Sequence, residues 1–455
     1  TEIYTLSLHD ALPILDRPMS VLVNPGMRVL GGKILVDGLD RAFDLDSPVS
    51  KTYLELPVPS LEDQTPDLLR LARALGISGG ACPSFDIDTV RNMPSVLRSA
   101  DYRVTAVTSD VRLIGVETGD TASRRYGIAF DIGTTTVVGT LLDLSDGYEL
   151  GRASRLNAQV VFGEDTISRI RHAIEEPGGR GDLSRMIRDV VNEIIGEACA
   201  SSGIQPDEIY EASFAGNTAM SHLFLGLDPY GLSRIPFIPV AGAAVNLRAS
   251  DIGIAINPHG NLYMLPNIAG FVGSDTVGVM LAVNFLEPGP PRLAIDVGTN
   301  GEVAVSANGT LAVCSTAAGP ALEGAALSCG MRAASGAIEH ISITDGEVAC
   351  EVIDGIRPVG ICGSGIIDAV AELLDAGIVD STGRLLDRDE LAGTVPGSLL
   401  NRIVDVDGQN AFVFSRGDGG SESRDVILSQ RDIRHIQLAK GAIRARSEER
   451  REGKR

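Results

Sequence analysis

The sequence predicts a duplicated α/β fold, and three segments carry that prediction. Phe130-Asp131-Ile132-Gly133-Thr134-Thr135-Thr136 and Ile295-Asp296-Val297-Gly298-Thr299-Asn300-Gly301-Glu302 each set an Asp at the end of an apolar run, with a Gly two residues later. Each is followed by a second apolar run and a tight-turn dipeptide, Asp146-Gly147 or Asn308-Gly309, which together spell a β-hairpin. The third segment, Gly360 to Asp368 (GICGSGIID), opens an amphipathic helix on a Gly-Ser-Gly turn. One strand–turn–strand device therefore occurs twice.

From the N-terminus, Thr1 to Leu15 (TEIYTLSLHDALPIL) resembles a translated sequencing adapter, and Arg446 to Arg455 (RSEERREGKR) resembles the same kind of read-through. Both are set aside, and the natural protein is expected to continue in both directions. Residues 16–50 carry Gly-Gly and Asp-Gly turns without a long period and read as a linker. Residues 51–122 read as a small α+β domain. Thr65 to Leu75 has a Thr cap and Leu68, Leu69, Leu71 and Leu75 near helical spacing. A second helix is expected within Asp86 to Ala100, and two strands within Tyr102 to Val116.

The first hairpin opens a large domain, whose first half is set at 123–288 and second at 289–445. Helices are expected over Glu164 to Ile174 and over Leu183 to Ala200, where Met186, Ile187, Val190, Val191, Ile194 and Ile195 form one stripe. Ile209 to Phe214 is a strand leading into a Gly216 turn that starts another helix. Short segments follow at Leu262 to Leu265 and Ala269 to Val272, then a helix over Val277 to Leu286. The stretch Glu287-Pro288-Gly289-Pro290-Pro291 separates the halves as a candidate hinge. After the second hairpin, Gly-rich loops are expected to lead to a helix over Ile366 to Leu374. Gly216 lies 85 positions after Asp131, and no counterpart follows Asp296 before Ala445, which suggests a missing C-terminal piece.

Composition narrows the function. At 455 residues the chain is expected to hold two to four domains. A balance of 39 basic against 60 acidic residues gives −21, a field that repels nucleic acid and anionic membrane. Aromatics at 4% with no Trp leave little to stack on single-stranded nucleic acid. The cysteines, at 82, 199, 314, 329, 350 and 362, show no CxxC and suggest neither a disulfide framework nor a Cys-only metal site. No run of 18 apolar residues occurs, so no membrane span is expected and the localisation expected by default is cytoplasmic.

The chemistry expected of the hairpins is phosphate binding. Gly133 would admit a ligand close to the backbone, and Thr134, Thr135 and Thr136 would offer amide and hydroxyl donors. Gly298, Thr299, Asn300 and Gly301 would repeat the cradle. Asp131 and Asp296 would hold Mg²⁺, largely through water, because that ion keeps much of its hydration shell. Gly363, Ser364 and Gly365 would take the adenosine of ATP. Asp275 could orient a water, against the plainer reading of a helix N-cap with Ser274. Glu323 and Arg332 could line the cleft or serve turn and packing. Asn217 and His222 follow the Gly216 turn, His222 reading as structural. Cys362 reads as a small packing residue.

These motifs, in this order, resemble the actin, sugar-kinase and heat-shock-chaperone (ASKHA) superfamily. Within it the match is to ASKHA-domain reductive activators of corrinoid proteins. The resemblance is carried by YGIAFDIGTTTVVGTLLDL, SRLNAQVVFGEDTISRI, FAGNTAMSHLFLGLDP, LPNIAGFVGSDTVG, LAIDVGTNGEVAV, STAAGPALEGAALSCGMRAASGAI and GICGSGIIDAVAELLDAGIV, over about Tyr126 to Arg444. It implies an actin-like, ribonuclease-H-like duplicated ATPase fold with an incomplete C-terminal half, preceded by a middle domain. It further implies ATP-dependent return of a Co(II) corrinoid to Co(I), with Asp131 and Asp296 positioning Mg²⁺ and water; Asp275, as the residue that could orient a water, completes the catalytic candidates. A corrinoid (cobalamin-binding) protein or methyltransferase is the implied partner, and a homodimer is a further expectation. The family's N-terminal plant-type [2Fe–2S] domain and its last Gly-rich adenosine motif are absent from this sequence. Alternatives are a small-molecule kinase on the same fold with Asp275 as base, an activator of a radical dehydratase, and a filament-forming ASKHA protein.

Overall fold

The structure is a computed structural model that describes residues 45–448 except 78–83, 164, 286, 288, 299, 308–309, 318, 325–326 and 418–423. The stretch 1–15, the tail beyond 448, Cys82, Thr299 and the Asn308-Gly309 turn lie outside the described residues. The described chain divides into two compact units, one ending at Gly278 and the other beginning at Val279.

The first unit opens with a four-stranded sheet. Strands β1 (Val49–Glu55), β2 (Ser84–Phe85), β3 (Arg103–Ser109) and β4 (Arg112–Thr118) lie in the order β1-β3-β4-β2, antiparallel except for the β2–β4 pair. Helices α1 (Asp67–Ala74) and α2 (Ile87–Ser99) cover one face, where Leu71, Met93 and Leu97 are buried against Val104 and Leu113. The expected Thr65 cap of α1 is not formed: Pro66 takes the N-cap position without a side-chain bond. Thr65 instead donates its hydroxyl to Asp63 at 2.7 Å.

A six-stranded sheet follows, built from β5 (Tyr126–Ile132), β6 (Thr136–Asp143), β7 (Glu149–Leu156), β8 (Ile209–Gly216), β9 (Val245–Arg248) and β10 (Asn261–Met264). Its order is β7-β6-β5-β8-β10-β9. The first two strands form the expected hairpin, which β7 extends into an antiparallel meander, while β8 pairs with β5 in parallel, so that Ile132 lies beside Gly216. That register brings the turn after β5 next to the turn after β8. Helices α3 (Thr166–Glu175) and α4 (Gly179–Ser202) make the crossover. On α4 the stripe Ile187, Val190, Val191, Ile194 and Ile195 is buried against Phe130, Ile132 and Phe214, and Met186 at its edge is half-buried. Helix α5 (Thr218–Leu225), the one-turn α6 (Ala249–Ile252) and α7 (Ser274–Ala282) complete the run. Helix α7 begins three residues before the expected Val277, and Asn284 with φ 52° lies beyond its end.

The two sheets of this unit meet through β8. The Tyr210 hydroxyl donates to Glu117 Oε1 at 2.6 Å, and Lys51, whose side chain is 1% exposed, donates to the same carboxylate at 2.9 Å. Val49, Val107, Ile114 and Tyr210 bury one another there. Asn261 on β10 donates to Glu211 at 3.1 Å. With little water to solvate it, the Glu211 carboxyl is pushed up to about 7, helped by the charge of Asp110 and opposed by the Asn261 bond.

In the second unit β11 (Arg292–Val297), β12 (Asn300–Ala307) and β13 (Thr310–Ala317) form an antiparallel meander, the counterpart of β5–β7. The expected Gly-rich loops between Cys314 and Ile366 hold more order than foreseen. Strands β14 (Ala337–Thr344) and β15 (Glu347–Val352) form a hairpin across Asp345-Gly346, both residues at positive φ, and β16 (Gly360–Ile361) pairs with β14 in parallel. Helix α8 (Gly363–Asp375) follows directly. Two one-turn helices, α9 (Arg388–Leu391) and α10 (Gly397–Leu400), precede a third meander of β17 (Ile403–Val406), β18 (Gln409–Ser415) and β19 (Val426–Ser429), and α11 (Gln430–Glu448). Ile338, Ile361, Ile366, Leu373, Phe412, Leu428 and Ile433 form the core. Buried Asp432 joins the parts by accepting from Ser429 N at 2.8 Å and Ser328 N at 2.9 Å.

Candidate nucleotide site

The turn between β5 and β6 is fixed from behind. Its three successive carbonyls all accept from the protein interior: Gly133 O from Asn157 Nδ2 at 2.9 Å, Thr134 O from Arg169 Nη2 at 2.6 Å, and Thr135 O from Asn157 N at 2.9 Å. In a trans peptide the N–H opposes the C=O. The amides of Thr134, Thr135 and Thr136 therefore point away from those donors, the arrangement of an anion-binding nest. Gly133 is required because an added methyl would stand 2.5 Å from Thr136 O. Asp131, next to last in β5, has an exposed side chain.

The neighbouring turn is knitted to this one. Asn217 caps α5 by accepting from Met220 N at 2.9 Å and donates to Thr134 Oγ1 at 2.9 Å. Ser274, fully buried at the start of α7, donates to Gly216 O at 2.8 Å and accepts from Gly216 N at 3.0 Å. Asp275 is thereby held one residue from this junction, half-exposed, with its Oδ1 accepting from Thr276 N at 2.7 Å. His222 is structural. Its Nε2 accepts from Val240 N at 2.8 Å and its Nδ1 lies 2.7 Å from Thr218 O, so the ring is neutral with the proton on Nδ1. Burial lowers its pKa.

Sequence reasoning missed the anchors Asn157 and Arg169. Both are 0% exposed, as is Gln159, which accepts from Arg169 Nη1 at 3.3 Å. Arg169 Nε also donates to Gly163 O at 2.9 Å. Desolvation pushes the guanidinium down to about 10, and the charge of Asp165 partly offsets this. The stretch SRLNAQVVFGEDTISRI contains all three residues, and polar side chains interrupting two apolar runs were the available signal.

The second unit assembles the other sequence-selected residues. The turn after β11 is closed by Gly298 N donating to Asn300 O at 3.1 Å. Across the hairpin Asp296 pairs with Glu302 and Val297 with Gly301. A methyl added at Gly298 would stand 3.1 Å from Glu323 Oε1, which places that carboxylate over the turn. The Asp296 carboxyl is raised, first by desolvation from the surrounding protein and then by the Glu323 charge. Glu323 ends a 3₁₀ turn, Pro320–Glu323, against which the Gly-Ser-Gly segment packs: a methyl on Gly363 would stand 2.1 Å from Leu322 O. Ser364 donates to Glu339 O at 2.8 Å, and Gly365 packs on Ile338 O. Buried Cys362 donates to Ile338 O at 3.3 Å, a packing role, and Arg332 is exposed. Asp296, Gly298, Asn300, Glu323 and Gly363–Gly365 thus form one neighbourhood, while Asp131, Gly133–Thr136, Asn217 and Asp275 form another in the first unit.

A duplicated strand–turn–strand unit on mixed α/β scaffolds defines a protein of the ASKHA class. Family models match the chain in three consecutive pieces: the RACo linker region over residues 38–123, the RACo middle region over 126–287, and the C-terminal ASKHA domain of RACo over 291–449. Matched by the three models in order, the chain belongs to the RACo family. The linker model falls on the four-stranded part and the middle model on the six-stranded sheet.

Among curated proteins it is 38% identical over 379 residues to the corrinoid activation enzyme RamQ of Eubacterium limosum, a match covering 79% of this chain and 63% of that protein. It is 29% identical over 300 residues to the [Co(II) methylated amine-specific corrinoid protein] reductase of Methanosarcina barkeri, covering 57% of this chain and 53% of that protein. Among solved structures it is similar to a reductive activator for corrinoid, iron-sulfur protein, with a TM-score of 0.77 and 35% identity over 91% of this chain and 65% of that one. The chain thus spans less than two thirds of these relatives. No described helix is long and apolar enough to cross a membrane.

Proposed function

We propose that this chain is the ATP-binding and ATP-hydrolysing portion of a reductive activator that returns an inactive Co(II) corrinoid protein to Co(I). The observation that carries the reading is the β5–β6 turn, whose three carbonyls are bonded inward and whose amides are thereby offered outward to an anion. Family membership supplies the reaction class.

In this reading Gly133, Thr134, Thr135 and Thr136, with Gly298, Thr299, Asn300 and Gly301, hold phosphates, and Gly363, Ser364 and Gly365 hold the adenosine. Asp131 and Asp296 hold Mg²⁺, which neutralises phosphate charge; carboxylate oxygens at strand ends suit that hard cation. The raised pKa of Asp296 fits a position that a cation would relieve. Asp275 orients the attacking water. The halves of the ATPase domain are assigned to 123–288 and 289–445, behind an α+β domain over 51–122. The electron comes from a [2Fe–2S] domain outside this sequence, and the partner is a corrinoid protein or methyltransferase.

The test is ATP binding by the purified chain, followed by ATP turnover with and without a Co(II) corrinoid protein. Binding that needs Mg²⁺, and turnover raised by the corrinoid partner, are expected. Transfer of the γ-phosphoryl group to a small metabolite would replace this reading with the kinase one, and a chain that binds no ATP would refute both.

A further inference from the structure

Arg169 is an unusual use of a charged residue. It is completely buried, and among the described carboxylates Asp165 acts on it through charge without a direct ion pair. Its fork instead spans two backbone carbonyls 29 positions apart in sequence, Thr134 O at 2.6 Å and Gly163 O at 2.9 Å, with Gln159 as third partner. Burying a guanidinium whose charge is only partly offset, by Asp165, costs stability, and an apolar side chain would fill such a site at lower cost. Packing alone gives no reason for it.

From this geometry we infer that Arg169 is a positioning residue for phosphate recognition: it locks the Thr134 peptide so that the following amide faces the ligand, and it sets a positive charge behind the turn. The inference rests on the nucleotide reading above and adds the part that holds its cradle in shape. Two features support the role. The guanidinium grips the central one of the three inward carbonyls, and Thr134 is held a second time through its hydroxyl by Asn217. An overall charge of −21 opposes any polyphosphate, so a fixed cation one layer beneath the amides offsets that field where the anion docks. Lysine cannot substitute, because one ammonium on a flexible stem does not hold two carbonyls in a fixed fork.

The experiment compares ATP and adenosine binding, by calorimetry, for the full chain, Arg169→Lys, Arg169→Met, and a stability control, Val190→Ala, in the helical core. Thermal melts first establish which variants are folded at the assay temperature; Lys serves if Met does not fold. The expected result is ATP affinity lower by roughly 10- to 100-fold in the Arg169 variants, the range for groups that orient a first contact. Val190→Ala should bind ATP as the parent does despite its lower melting temperature. Adenosine binding should fall by less than ATP binding in each folded Arg169 variant. A folded Arg169→Lys chain with parental ATP affinity would overturn the inference while leaving the nucleotide site standing. A parent chain that binds no ATP would instead remove the nucleotide reading, and the role of Arg169 with it.

Discussion

Replacing Glu211 with Gln should make stability at neutral pH higher and its pH dependence flatter. Glu211 sits on β8, where burial lifts its carboxyl from 4.5 to about 7. Between those values the unfolded chain has released the proton and the folded chain still holds it, so folding binds a proton and stability falls as pH rises. The loss begins near the unfolded value of 4.5 and is complete above about 7. A difference of about 2.5 pH units at about 1.36 kcal/mol each gives roughly 3 kcal/mol. Glutamine keeps an oxygen for the Asn261 donor and carries no charge, so this penalty disappears. Urea unfolding followed by far-UV circular dichroism, run on both proteins from pH 4.5 to 8, isolates the residue, because every other titrating group cancels in the difference. The two chains should be nearly equal at pH 4.5 and diverge to about 3 kcal/mol in favour of Gln by pH 8. A constant difference across the range, or one favouring Glu at high pH, would refute the argument that burial governs this carboxyl.

Three other outcomes are expected. His222 works in the opposite direction: its folded pKa lies below the usual value near 6.5, so stability is retained above that pH and lost on acidification below it; melts of the parent and of His222→Gln should converge as the pH drops from about 7 to about 5. Gly133→Ala forces a methyl to 2.5 Å from Thr136 O, and equilibrium dialysis should find ATP binding reduced by at least about tenfold as the amides rotate out of register. Gly363→Ala drives a methyl to 2.1 Å from Leu322 O, shifting the start of α8; it should cost about 1–3 kcal/mol in denaturant melts and weaken adenosine binding in the same chain.

The two Asp-x-Gly hairpins were legible because a turn of this kind writes itself locally, with apolar alternation, Gly and Thr within ten residues. The long helix α4 was legible for the same reason, its stripe repeating at helical spacing. The residues behind the first turn were not. Asn157 and Arg169 reach it from 24 and 35 positions away along the chain, and no local period encodes a contact of that span; Asn217 was visible after the Gly216 turn, but not its reach of 83 positions to Thr134. The β14–β15 hairpin had a usable signal in Asp345-Gly346 between alternating segments, masked by the density of glycine upstream. The α1 cap failed because two residues competed: Pro66 fits the helix start without an amide to bond, and Thr65 found Asp63 instead.

The Tyr210–Glu117–Lys51 contact bears on anyone who wishes to dissect this protein by truncation. The sequence invites a cut near residue 123, where one sheet ends and the next begins. Such a cut would strip the partner from a tyrosine 3% exposed and leave Glu211 facing water on a strand that lies at the centre of the remaining sheet. It would also remove Gly115, whose missing side chain is what lets the Tyr210 ring sit flush against β4. A soluble fragment of the six-stranded part should therefore start before Val49 and carry the small sheet along, as an integral wall rather than a detachable tether.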